Sequence, residues 1–509
     1  MPRAIQNPES SPRFGVRTIR FYQLAEQVSG ALIYLMVIFS PWAFGTTARW
    51  SAWTMDTAGY FLGLLLFVKL LLRWSTGYRP PRWELETADD PQARPAKFLT
   101  AGLAALTALM LAYCLASVLN ARSTFIPAQF QFIYHRWIAW LPHSYDSASS
   151  WPAFWDYLGM ALSFWAVCDW LPGKTSTEMR AERKIQGGDF ATVSLLPGRL
   201  RRLLWVMGVN GGLLAAEAII QRLSGTDKVL WLTPGGFNHN SIFHLGPFAY
   251  RNNGAQYFNL LWPAILGFWW TLHRSAELTA HRSGRRTQSG HHLLLAAILL
   301  MAAAPIVSAS RSAVIVDGAT VFLAAVIISF ALRRAHGATK FALFIFVLAV
   351  LGIGFAVGWE NFAERMKGFD QNLTQREHIY ALAWPMAWEH PLFGTGPGTF
   401  DVLFQFYRDS TNAYWPAQLH NDWLQTLITF GWLGSAVIAL LFLLVFMRRF
   451  LPGGIQCGWR FTLLLWLGMG SCLIHARYDF PFQIYSILFL FLVLCAILFN
   501  LSRRSESGD

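Results

Sequence analysis

Residues 292–332 read HLLLAAILLMAAAPIVSASRSAVIVDGATVFLAAVIISFAL. Two apolar runs, 292–309 and 313–332, are parted by only a few residues that carry Arg311. About 20 apolar residues are what a helix needs to cross the hydrocarbon core of a bilayer. The backbone must satisfy its own hydrogen bonds there, so helices are the expected spanning form. The stretch therefore reads as two membrane-spanning helices joined by a tight turn, with one arginine at its tip. Runs of the same kind recur at 28–46, 53–73, 98–118, 152–172, 203–222, 254–273, 341–358, 430–447, 461–477 and 483–501. The chain is 54% hydrophobic, 16% aromatic and only 14% charged, which a water-soluble protein of 509 residues rarely matches. Length alone would suggest several soluble domains, but the apolar runs use nearly all of residues 1–509. The expected fold is an all-α integral membrane protein, one polytopic bundle of about twelve transmembrane helices.

The formal net charge of +13 invites a nucleic-acid reading, and its distribution argues against one. With the N-terminus placed inside, most of the Lys and Arg fall on inside pieces: Arg3 to Arg20, the 69–97 group, Lys174 to Arg202, Arg274 to Arg286, Arg333 to Lys340, Arg448 to Arg460, and Arg503-Arg504. That bias is the positive-inside signature of membrane topology. It places both termini in the cytoplasm and makes membrane lipids, with no nucleic acid, the expected surroundings. The five cysteines show no metal-ligand spacing and read as small buried hydrophobes. The polar, basic start carries no evident cleavable signal.

Of the outward pieces, 119–151 is rich in aromatics, 223–253 holds His239, His244 and Arg251, and 359–429 is the largest, a loop with short helices between spans nine and ten. Within it, Thr374-Gln375-Arg376-Glu377 fits a capping box, which predicts a helix from there to about Glu389. Helical spacing puts Arg376, Tyr380, Ala383 and Ala387 on one face. Pro385 would kink that helix and Pro391 end it. Gly394-Thr395-Gly396-Pro397-Gly398 makes an irregular turn, read either as a re-aiming of the chain or as a phosphate cradle. A second helix is expected from Trp423 to Phe430, broken at Gly431, with His420 at its start.

Phosphate-loop, zinc-helix and nucleophile-elbow motifs are absent, as is an Asp-x-Asp pair of the kind that holds a divalent metal in many glycosyltransferases. What remains is a set of outward arginines, Arg251, Arg311 and Arg376, with His420. Each has an ordinary alternative: an interfacial anchor for Arg251 and Arg311, a pair with Glu377 for Arg376, a structural loop residue for His420. A diphosphate offers the planar, bidentate acceptors that a guanidinium fork matches. Arginines at an outer membrane face would bind a lipid diphosphate and stabilise it as a leaving group. A neutral histidine beside them could take a proton from an attacking hydroxyl.

His420-Asn421, followed after nine residues by Gly431-x-x-Gly434-Ser435, resembles the signature of the O-antigen ligase / O-antigen polymerase C-terminal family. The segment His390 to Phe400 and the Ser308-x-Ser310-Arg311 element resemble two further parts of that family, in the right order. The resemblance implies an O-antigen ligase-like catalytic region at 292–435, including periplasmic loop 359–429. It implies a membrane glycosyltransferase of the bacterial inner membrane that works without a metal or other cofactor. Such enzymes move a glycan from an undecaprenyl-diphosphate carrier to a glycan or lipid A–core acceptor at the periplasmic face. By the same resemblance, His420, Arg376 and Arg311 are the catalytic set. Arg251, Asn421, Gly396, Gly398 and Arg477 are expected to bind substrate. His475 and Asp479, beside Arg477, are read either as a lock on the bundle or as support for the site. The rival reading is a twelve-helix transporter or flippase without covalent chemistry, with a midplane site around Glu217 and Asp317.

Overall fold

A computed structural model describes residues 16–83, 94–186, 196–234, 243–283, 290–331, 369–410, 417–451 and 454–503, with a few single positions between 345 and 356. The helices are α1 Val16–Trp42, α2 Arg49–Thr76, α3 Arg94–Leu119, α4 Ser147–Trp170, α5 Ser176–Gln186, α6 Gly198–Ser224, α7 Arg251–Ser283, α8 Leu293–Val307, α9 Arg311–Ala331, α10 Phe369–Glu389, α11 Phe400–Leu403, α12 Asp422–Arg448, α13 Trp459–His475 and α14 Tyr485–Asn500. Small two-stranded ribbons decorate the loops, including β1 Ser123–Ile126 paired antiparallel with β2 Gln131–Tyr134. Every expected span except the ninth falls on one of these helices. Residues 341–358 lie almost entirely outside the described residues, as do Gly235, Gly236, His239 and 333–340.

Among the described residues, seven helices are long and apolar enough to cross a membrane: α1, α2, α3, α6, the 290–307 helix, α9 and α12. The chain is thus a mostly helical membrane protein. Helices α4, α7, α13 and α14 pack among those seven but are shorter or more polar. In α7 the polarity has a place to go. Gln256 and Asn259 are buried, and the Asn259 amide donates to the Ala313 carbonyl at 3.1 Å. From Arg251 to Phe268 the helix is buried on every side, which makes it the centre of the bundle. Large apolar side chains instead point outward from α2, α3, α9 and α12, among them Phe61, Phe67, Phe98, Phe322 and Leu440. A belt of this kind has lipid as its natural neighbour.

One break in a long helix positions the loop chemistry. Gly431 in α12 has φ 61° and ψ −171°, which a side chain would not tolerate, and it lies against Leu392. The break frees backbone groups that the 391–396 turn satisfies. Thr395 and Gly396 N–H donate to Ile428 and Thr429 carbonyls at 2.8 and 2.9 Å, and Trp432 and Leu433 N–H donate to Pro391 and Leu392 carbonyls at 2.8 and 3.3 Å. Tyr113 Oη donates to the Phe393 and Phe430 carbonyls, closing the joint from α3. Buried backbone has no water to turn to, so a broken helix at this depth needs such partners. The expected second helix with its break at Gly431 is therefore present as the first part of α12.

The other loop helix departs from expectation at its start. It is already running at Phe369, so Thr374 and Glu377 lie inside it rather than at a cap. Its end at Glu389 and the buried face through Ala383 and Ala387 are as expected. All five cysteines are buried and outside any disulfide.

Candidate functional site

The site gathers at the ends of four helices. His420 precedes α12 in the left-handed region at φ 59°, a conformation most side chains avoid. It is held there by Tyr380 of α10, whose Oη donates to the His420 carbonyl at 2.6 Å. Asn421 caps α12, its side chain accepting from Leu424 N–H at 3.3 Å. Asp422 is anchored next to it: its N–H donates to Ala476 O at 2.8 Å, and its carboxylate accepts from Phe482 N–H at 2.7 Å and Gln483 at 2.9 Å. These bonds clamp the start of α12 onto the loop between α13 and α14, and so fix where the imidazole points.

The imidazole points at Asp479. His420 Nδ1 lies 3.0 Å from Asp479 Oδ1, with the carboxylate almost fully buried and the histidine side chain 23% exposed. Asn252, one residue into α7, donates to Asp479 Oδ2, and Tyr250 Oη lies 3.5 Å from the same oxygen. His475 Nε2 is 3.8 Å away, at the end of α13. Burial alone would raise the Asp479 carboxyl. The His420 charge and hydrogen bond, the His475 hydrogen bond and the Arg376 charge outweigh it and hold the carboxyl well below the usual range. When the imidazole is neutral, an ionised carboxylate beside Nδ1 favours the proton there and leaves the lone pair on Nε2. Phe480 packs edge-on to the imidazole, ring centroids 4.8 Å apart, and stacks in turn on Tyr250.

Arg376 of α10 reaches into this group. Its guanidinium donates to the Tyr478 carbonyl and also interacts with Asp479 and Tyr250. Burial tends to lower its pKa, but Asp479 and the tyrosines raise it, so its charge is secure. Arg311 opens α9 close enough for its charge to repel that of Arg376. The Ser308-x-Ser310 element shapes that turn: Ala309 sits at φ 54°, and Ser310 N–H donates to Ser308 Oγ at 3.0 Å. Arg251 is buried at the first position of α7, over the Phe243 ring and adjacent in sequence to Tyr250 and Asn252. The structure thus brings His420, Arg376, Arg311 and Arg251 to one end of the bundle.

Arg477 lies on the flank. It is exposed, over the rings of Tyr380 and Tyr478, and lines a cavity of about 350 Å³ with Asn421, Tyr380, Trp384 and Trp423. Gly396 and Gly398 lie in a tightly packed turn. The Gly396 N–H is bonded to Thr429 O, and added Cβ atoms at 396 and 398 would strike Ser144 and Ser149. Their positive φ values and close packing make the 394–398 turn a joint between α12 and the loop before α4, and the Gly396 amide is not free to cradle a phosphate.

Tyr250 and Asn252 are the site residues whose roles sequence reasoning missed, and Asp479 was left open between a lock on the bundle and support for the site. Asp479 carried a signal, an acidic residue just beyond a span and near two other polar residues. Tyr250 and Asn252 carried only their position beside Arg251. Glu217 and Asp317, the pair expected by the transporter reading, face different neighbours. Glu217 of α6 lies against Gly246, whereas Asp317 of α9 accepts from Trp262 Nε1 at 3.1 Å.

Residues 296–439 match the family model described as O-antigen ligase. Over that stretch the chain is similar to the O-antigen ligase family. The match covers well under half of the chain and includes Arg311, Arg376, His420 and Asn421. Arg251, Arg477 and Asp479 lie outside it, on elements that the fold brings alongside. No curated protein and no solved structure matches the chain.

Proposed function

We propose that this protein belongs to the O-antigen ligase family and is an inverting, metal-independent glycosyltransferase of the bacterial inner membrane. It moves a glycan from an undecaprenyl-diphosphate carrier to an acceptor sugar hydroxyl at the periplasmic face, with both termini cytoplasmic. The acceptor is lipid A–core for a ligase or a growing chain for a polymerase. The single observation that carries the reading is the His420–Asp479 pair set against Arg376 and Arg311 at one end of the bundle.

In this mechanism His420 Nε2 accepts the proton of the acceptor hydroxyl while Asp479 stabilises the imidazolium that forms. The hydroxyl oxygen attacks the anomeric carbon from the face opposite the diphosphate. The bond from that carbon to the diphosphate oxygen breaks, and its electron pair leaves with the phosphate. A single displacement of this kind inverts the anomeric centre. Arg376 and Arg311 take up the developing negative charge, the task for which permanent, preorganised cations are suited. Arg251 extends the positive lining, and Asn421 serves by holding the helix that presents His420. Arg477 and the aromatic cavity beside it are placed for the glycan, since aromatic faces pack well against the apolar faces of sugars.

The test is glycan transfer by purified protein from a polyprenyl-diphosphate donor. Near wild-type turnover by both His420→Ala and Arg376→Ala would overturn the assignment of roles. Abolition of transfer by EDTA, in wild-type protein and in a variant without His273, His291 and His292, would overturn the metal-free mechanism.

A further inference from the structure

At the far end of α7 from Arg251, three imidazoles converge. His273 of α7 meets His291 and His292, which stand just before α8, and one ligand nitrogen from each lies within 4.8 Å of the others. We propose that these three histidines form a binding site for a divalent transition-metal ion of the Zn²⁺ type, separate from the glycan site and structural in effect.

Three features of the geometry favour an ion over a simple aromatic stack. His273 Nδ1 lies 3.3 Å from His291 Nε2. Two imidazole nitrogens bound tetrahedrally to Zn²⁺ at about 2.0–2.1 Å sit about 3.3–3.4 Å apart, so that pair already has the spacing of one edge of the coordination shell. Next, the other nitrogen of His273 is oriented from behind. Nε2 lies 3.4 Å from Glu277 Oε1, one helical turn on, and Arg274 holds the second Glu277 oxygen at 3.1 Å. A carboxylate that accepts from one imidazole nitrogen fixes the tautomer and leaves the other lone pair directed at a metal. Finally, the indole of Trp269 stacks on the His273 ring at 5.4 Å and 10°, setting its plane, while the His291 and His292 rings lie 4.1 Å apart.

Three neutral imidazoles with one water complete a tetrahedron, and imidazole ligands suit Zn²⁺, Ni²⁺ and Cu²⁺ far better than Mg²⁺ or Ca²⁺. The ion would tie the last turns of α7 to the entry of α8. Those two helices lead to Arg251 at one end and to the Arg311 turn at the other. His273 stands about 33 Å along α7 from Arg251, so the ion cannot touch the reacting sugar. Its effect is to hold the hairpin that begins at Arg251 and leads into the Arg311 turn.

The experiment uses the full chain, purified without a polyhistidine tag, stripped with EDTA, and titrated with Zn²⁺ against a chromophoric chelator. We expect one Zn²⁺ per chain retained through desalting, with a rise in melting temperature. His273→Ala/His291→Ala should abolish retention, and Glu277→Gln should weaken it by about 10–100-fold, the usual effect of losing a carboxylate behind a ligating histidine. His292→Gln serves as a second ligand variant should the double variant fold poorly. Failure of the wild-type protein to retain one equivalent overturns the proposal. So does full retention by the folded His-to-Ala or His-to-Gln variants, which would place the ion elsewhere.

Discussion

At one end of the bundle, fully buried Lys69 of α2 reaches Glu26 at 3.1 Å and Asp169 at 2.8 Å. Arg73 and Arg82 contact Asp169 at 2.6 and 2.5 Å, and Arg199 of α6 contacts Glu26. Every cation in this network meets a carboxylate. At the other end of the same α6, Arg222 donates to the His244 and Ser308 carbonyls, beside the arginine site. There the carboxylate of Asp479 is engaged by His420 and Asn252, Arg376 donates to a backbone carbonyl, and Arg376 and Arg311 repel each other. Cations matched by carboxylates tie helices together. Cations close enough to repel each other favour an anion between them. The difference separates a clamp from a site.

The largest expected break in that comparison comes from His420→Ala. It should cut the transfer rate by about 10³-fold, the range of a lost general base, with little change in melting temperature. Single-turnover transfer assays at saturating donor check this. Asp479→Asn should follow at about 10²-fold or more, because the amide no longer enforces the tautomer that leaves Nε2 basic. The same variant bears on acid stability. The folded carboxyl lies well below its usual value. Its contribution is therefore fully present above the unfolded carboxylate pKa of about 3.9 and is lost as pH falls below that through the folded pKa. The melting-temperature gap between wild type and Asp479→Asn should stay level from neutral pH to about pH 5 and close under more acid conditions.

Arg376→Lys sharpens the anion side. It keeps the charge and loses the fork, so it should retain more activity than Arg376→Ala while both raise the donor KM or lower kcat. Equal activity of the two would mean that the fork geometry is not used. At the clamp end, Lys69→Ala should act on stability alone. Removing one member of a buried ion network costs about 3 kcal/mol, seen as earlier thermal unfolding in detergent, with the turnover of the folded fraction unchanged. The smallest effect belongs to Tyr380→Phe. It deletes one neutral hydrogen bond to the His420 carbonyl, about 1 kcal/mol, and should lower transfer only a few-fold.

Much of the site was legible in the chain because it is local. The Gly431 break, the shared face of Ala383 and Ala387, the helix end at Glu389 and the single arginine in the turn from α8 to α9 all follow from residue type and short spacing. The start of α10 was misplaced because a capping-box pattern also fits inside a helix, where threonine and glutamate are tolerated. The glycine turn was ambiguous for a related reason. Positive φ announces a bend, whereas only the contacts to Thr429, Ser144 and Ser149 tell what the bend is for.

By itself the sequence determined a helical membrane protein and named the arginines and the histidine, since hydrophobic length and side-chain chemistry are properties of single segments. The tertiary structure alone decided that Asp479, 59 residues beyond His420 in the chain, is its partner. It also brought Tyr250 and Asn252 in from the start of α7. Those meetings depend on how helix ends register across the bundle, a matter of packing that no single segment encodes.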